Sequence, residues 1–155
     1  MKLQIINNEK PPIYDAIIQN GMHPSSRVVY TYGDKLYNPS GESIPEDLIV
    51  HEETHMWQQA SLLPPQERTV DNLKKGADLW WGRYLLDPYF RIDQEVEAYA
   101  NQYAYICGRI KDRNQRNRIL TNIGITLGGP IYGSVITPRA AILMVKEKAK
   151  GLIQQ

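Results

Sequence analysis

Residues 46–59 read EDLIVHEETHMWQQ and decide how the chain is interpreted. They place two of its three histidines, His51 and His55, four residues apart, with Glu52 directly after the first. Side chains four apart on a helix lie on one face about a turn apart, so both imidazoles can reach a single ion. The pattern is H-E-x-x-H, in which the histidines hold Zn²⁺ and the glutamate serves as general base. Glu52 follows the first histidine, so it stands at the flank of the ion. There it can take a proton from a water without being a ligand.

The surroundings of the motif predict a buried helix. Ser43-Ile44-Pro45-Glu46 matches the S-x-x-E capping box, and proline is tolerated in a first turn. Pro64-Pro65 must end the helix. Leu48, His51, Glu52, His55 and Gln59 share one face, Ile49, Met56 and Ala60 a second, Val50 and Trp57 a third. A helix with apolar residues on several sides belongs inside its domain. Imidazoles and a carboxylate buried there are costly without partners, and a bound metal supplies one.

A catalytic zinc takes three protein ligands and keeps one position open. His23, in NGMHPSS, reads as an exposed loop residue. The other source is the helix expected over about 89–111, whose apolar stripe is Ile92, Val96, Tyr99, Tyr103, Ile106 and Ile110. At about 100° per residue, Glu95 falls roughly 60–70° from the centre of that stripe and Glu97 roughly 130° from it. Glu95 is therefore the expected third ligand and Glu97 an expected solvated charge.

An HExxH helix followed some tens of residues later by a helical E-x-x-A resembles the gluzincin zinc metallopeptidases. The likeness is to short, minimal members, including those of phage genomes and phage-tail-like systems, in which H-E-x-T-H-x-x-Q-Q is typical. Here residues 51–59 read H-E-E-T-H-M-W-Q-Q and 95–98 read E-V-E-A. The family pattern has an aspartate next, where this chain has Tyr99. The resemblance covers about residues 43–105. It implies a minimal zincin-like fold, Zn²⁺ held by His51, His55 and Glu95, Glu52 as the catalytic residue, and hydrolysis of a peptide or protein substrate. The alternative is a zincin-fold binding or structural module, a phage-type component, that keeps the metal site without turnover.

The rest of the chain sets the frame. Its 155 residues suit a single domain. The expected class is α+β: a strand-rich part over 1–41 with a small antiparallel sheet or hairpin, metal-site helices over 43–111, and a C-terminal helical part over 112–155. RVVYTYGDKLYNPSG reads as a hairpin of 28–32 and 35–37 turning at Gly33-Asp34. Its edge is expected to align a peptide by strand addition. Another helix is expected over 70–86. The polar run KDRNQRNR and a glycine-rich turn region follow, and Thr137-Pro138 opens a last helix.

A net charge of +1 gives no general pull toward nucleic acid or anionic membrane, and neither is an expected partner. The single cysteine, Cys107, allows no internal disulfide and reads as a small buried hydrophobe. MKLQIINNEKPPIYD lacks the apolar core of a signal peptide, so the expected location is cytoplasmic. Ten tyrosines stand against one phenylalanine, which suggests places where a ring needs a polar tip. Tyr30, Tyr32 and Tyr99 are candidate donors to a developing oxyanion, with packing as the ordinary alternative for each.

Overall fold

A computed structural model describes residues 1–153. The fold is α+β, as expected: a small three-stranded sheet near the N-terminus and six α-helices. The strands are β1 (Gln4–Asn7), β2 (Tyr30–Tyr32) and β3 (Lys35–Asn38), in the order β1-β3-β2. The hairpin β2–β3 is antiparallel, with Thr31 opposite Leu36. The third strand departs from expectation, since β1 joins β3 in parallel, Ile5 beside Leu36. β2 also starts later than its β-branched run suggests. The Val28 N–H donates to Ser25 O at 3.2 Å in a turn, so the ladder begins only at Tyr30.

The helices are α1 (Tyr14–Gln19), α2 (Glu46–Ser61), α3 (Leu73–Leu86), α4 (Pro88–Arg109), α5 (Arg113–Leu127) and α6 (Pro138–Ile153). Two compact units emerge: residues 1–45 with 52–87, and residues 46–51 with 88–155. The expected capping box at the start of α2 does not form. The N-cap is Pro45, two residues after Ser43, with no side-chain cap. The Glu46 carboxylate, which would have closed the box, instead accepts from the Tyr105 hydroxyl. From Asp47 to Ala60 every residue of α2 is buried or half-buried except Trp57, which is 51% exposed.

In the first unit, Leu3, Leu36 and Met56 form a small core flanked by Val29 and Ile44. Gln59 is fully buried and joins α2 to the hairpin. Its Nε2 donates to Thr31 O at 2.9 Å, and its Oε1 accepts from the Gly33 N–H at 2.8 Å. This amide thus occupies the place of a peptide group in a neighbouring strand. The Trp81 indole N–H also donates to Thr31 O, at 2.9 Å. β2 is an edge strand, and these two side chains take its outward carbonyl. The expected strand addition of a peptide along β2 therefore has no free acceptor at Thr31.

α3 packs close to α2 because residue 76 has no side chain. A Cβ at Gly76 would lie 2.3 Å from the Gln59 carbonyl oxygen.

In the second unit, α4, α5 and α6 bury Ile92, Val96, Ala100, Tyr103, Leu120, Ile123, Leu127, Ala141 and Val145 in one core. The expected stripe of α4 is buried at Ile92, Val96 and Tyr103, with Tyr99 partly buried against them, while Ile110 lies beyond the helix end. α5 is unexpected: its polar N-terminal half and its glycines read as loop and turn. Asp112 caps it by accepting from the N–H groups of Asn114 and Gln115. Gly124 marks a close approach to α6, where a Cβ would fall 2.4 Å from Ile142 Cγ1. α6 opens as expected, with Thr137 Oγ1 accepting from the Ala140 N–H at 3.1 Å and proline at its first position. Among the described residues no helix is long and apolar enough to cross a membrane.

Two glycines of α3 give opposite expectations. Gly76→Ala forces a Cβ against backbone and should destabilise by at least about 2 kcal/mol. Gly82 has nothing within 4 Å of an added Cβ. Gly82→Ala should stabilise by up to about 1 kcal/mol through helix propensity. Urea unfolding of both variants checks the pair. Similar shifts would contradict the close α2–α3 packing.

Candidate metal centre

Helix α2 brings its three motif residues together. One ligand atom from each of His51, Glu52 and His55 lies within 4.8 Å of the others, and all three residues are buried. This buried group can hold a metal ion. His23 is exposed and lies outside it, as expected of a loop residue.

The tautomers of the two histidines follow from their neighbours. His51 Nδ1 lies 3.1 Å from Gln102 Oε1. His55 Nδ1 lies 2.8 Å from Gln58 Oε1. An amide oxygen only accepts, so each Nδ1 carries a proton. The amide of Gln102 is itself oriented, because its Nε2 donates to Asp47 Oδ2 at 2.7 Å. A carboxylate accepts only, so the amide oxygen must face His51. With the proton on Nδ1, Nε2 is the ring nitrogen through which a neutral imidazole binds a metal.

In the second unit, α4 carries Glu95, which is 3% exposed. Its Oε2 lies 3.3 Å from His51 Nε2. Glu97, two residues and about 200° round the helix, is half-buried rather than the solvated charge expected of it. The geometric expectation that Glu95 points inward more than Glu97 is therefore met. The contact is longer than a charge-assisted N–H···O bond, about 2.7–2.9 Å. With the proton on Nδ1, it also sets a nitrogen lone pair against a carboxylate oxygen. Such a contact is unfavourable unless a proton or a cation lies between the two atoms. Two ligands each about 2.0–2.1 Å from one tetrahedral ion sit about 3.3–3.4 Å apart. The spacing of His51 Nε2 and Glu95 Oε2 is compatible with a shared metal ion.

Glu52 belongs to the first unit and is held by the sheet. Thr31 Oγ1 lies 2.8 Å from Glu52 Oε2 and 3.2 Å from Glu52 O. One hydroxyl proton cannot serve both, and the shorter bond to the carboxylate takes it. The hydroxyl fixes one oxygen of Glu52 and leaves lone pairs on the other. His55 packs against Trp80, ring centroids 5.1 Å apart, and Trp80 stacks on Tyr84. Trp80 and Trp81 are buried.

The tyrosine candidates take packing or carboxylate partners. The Tyr32 hydroxyl donates to Asp78, which also pairs with Lys74. Burial, then this hydrogen bond, raises its pKa. Tyr30 packs edge-on against Tyr14, and burial pushes its pKa up to about 12. Tyr99 sets its ring edge against His51, centroids 4.5 Å apart. Cys107 is partly buried against the core of the second unit.

Thr31, Asp47 and Gln102 carry no motif, and Gln58, though within the H-E-x-T-H-x-x-Q-Q stretch, was given no role in the site. Asp47 stands four residues before His51, and Gln102 two helical turns after Glu95. Those spacings were the available signals. No protein-family model, curated protein or solved structure matches the chain. The likeness to gluzincins therefore stands on the motif residues alone.

Thr31→Val keeps shape but removes the donor to buried Glu52. It should lower stability by about 1–3 kcal/mol, the cost of a buried polar group losing its partner. A urea midpoint unchanged from wild type would contradict the Thr31–Glu52 hydrogen bond.

Proposed function

We propose that the chain is a zinc-dependent peptidase in which His51, His55 and Glu95 hold the ion and Glu52 is the catalytic base. The observation that carries the reading is the 3.3 Å approach of His51 Nε2 and Glu95 Oε2, with both motif histidines protonated at Nδ1. Two imidazole nitrogens and one carboxylate form the three-ligand set of a catalytic rather than a closed structural zinc site. When bound, the ion would supply Lewis-acid polarisation of an amide carbonyl and a water of lowered pKa.

The chain's own residues do the rest. Glu52 takes a proton from the attacking water and returns it to the departing amide nitrogen. Thr31 holds one Glu52 oxygen, so the carboxylate keeps one orientation through both transfers. Trp80 limits the rotation of His55 by packing on its ring.

A second reading, a metal-holding binding or structural module of phage type without turnover, is favoured by one observation. Gln59 and Trp81 already occupy the outward carbonyl of the edge strand β2. A peptide would have to be aligned elsewhere.

The test has two measurements. Elemental analysis of purified protein should find one zinc per chain in the wild type and in Glu52→Gln, and a large loss in His51→Ala. Cleavage of casein or a mixed peptide library should then fall about 10²–10⁴-fold in Glu52→Gln, and disappear on chelation. Zinc retained by both proteins with no cleavage by either supports the module. No zinc in the wild type ends both readings.

A further inference from the structure

The second unit contains a three-residue chain that neither the motif nor the resemblance accounts for. Asp47 Oδ2 accepts from Gln102 Nε2 at 2.7 Å, and Gln102 Oε1 lies 3.1 Å from His51 Nδ1. His51 Nε2 then faces Glu95 Oε2 at 3.3 Å. Asp47 lies one turn before His51 on α2, and Gln102 lies two turns after Glu95 on α4. The four side chains therefore come from two helices at matching heights.

We infer that Asp47 and Gln102 are positioning residues that set the tautomer and ring orientation of His51 for metal binding; this rests on the proposed zinc site. The physical reason lies in the amide. Gln102 can face His51 with either end. With its oxygen forward it accepts from Nδ1–H, and Nε2 is left as a ligand. With its nitrogen forward it donates to Nδ1, the imidazole proton moves to Nε2, and the ligand is lost. The amide alone has little preference between the two. Asp47 supplies it, because a carboxylate can only accept and so draws the NH₂ end toward itself. Its negative charge also polarises the amide, making the oxygen a better acceptor and His51 a more basic ligand. Tyr99, where the gluzincin pattern has aspartate, sets its ring edge against His51.

Substitutions can break the chain and rebuild it with reversed polarity. Gln102→Leu removes the acceptor. Gln102→Glu keeps an acceptor at Nδ1 but opposes two carboxylates. Asp47→Asn lets the amide turn either way. In the double variant Asp47→Asn/Gln102→Glu the new amide can donate to the new carboxylate, which still accepts from His51 Nδ1.

Zn²⁺ affinity is measured by competition with a chromophoric chelator, and ligand geometry by the visible spectrum of the Co²⁺-loaded protein. Circular dichroism confirms that each variant folds. Gln102→Leu should bind Zn²⁺ about 10–100-fold more weakly and change the Co²⁺ spectrum. The double variant should bind more tightly than either of its single parents. A folded Gln102→Leu with wild-type affinity and spectrum overturns the relay and leaves the zinc site standing. A double variant no better than its parents also overturns it. If the wild type binds neither ion, the relay fails together with the proposed function.

Discussion

The structure depends on keeping two imidazoles and their neighbouring carboxylates inside protein. His51, Glu52, His55 and Glu95 are all buried. Buried groups of this kind are tolerated only when each polar atom has a use. The Nδ1 atoms are satisfied by glutamine oxygens and one oxygen of Glu52 by a threonine hydroxyl. The buried group of His51, Glu52 and His55 could hold a metal ion.

Helix α2 is shared by both units: residues 46–51 belong with 88–155, and 52–61 with the sheet and α3. In the first unit, Gln59 mimics a strand peptide and Gly76 lets α3 approach the α2 backbone. In the second, Glu46, Asp47 and His51 bond to residues of α4. The polar ends of several tyrosines find carboxylates, Tyr32 at Asp78 and Tyr105 at Glu46. That accounts for part of the preference for tyrosine over phenylalanine.

The motif helix was legible because its information is local. Spacing four on a helix fixes the relation of His51 to His55, and the apolar stripe of α4 distinguishes Glu95 from Glu97 without reference to another element. The hairpin was legible for the same reason. What escaped was set by pairs distant in sequence. Thr31 and Glu52 meet across 21 positions, and Gln102 and Asp47 across 55. Nothing in a threonine or glutamine signals such a partner. α5 was read as loop and turn because of its polar N-terminal half and its glycines, yet one of these, Gly124, is what allows α6 to lie close. The capping box failed because Pro45, not Ser43, ends the extended segment, and a motif match does not specify where the first helical turn begins.

X-ray absorption at the zinc edge of metal-loaded protein tests the central claim most directly. Two imidazole nitrogens and one carboxylate oxygen at about 2.0–2.2 Å, with one further light ligand, are the shell that His51, His55 and Glu95 should give. That shell should lose a nitrogen in His55→Ala. A shell of oxygens without imidazole scattering, or one unchanged by that substitution, would show that the histidines of α2 do not hold the ion.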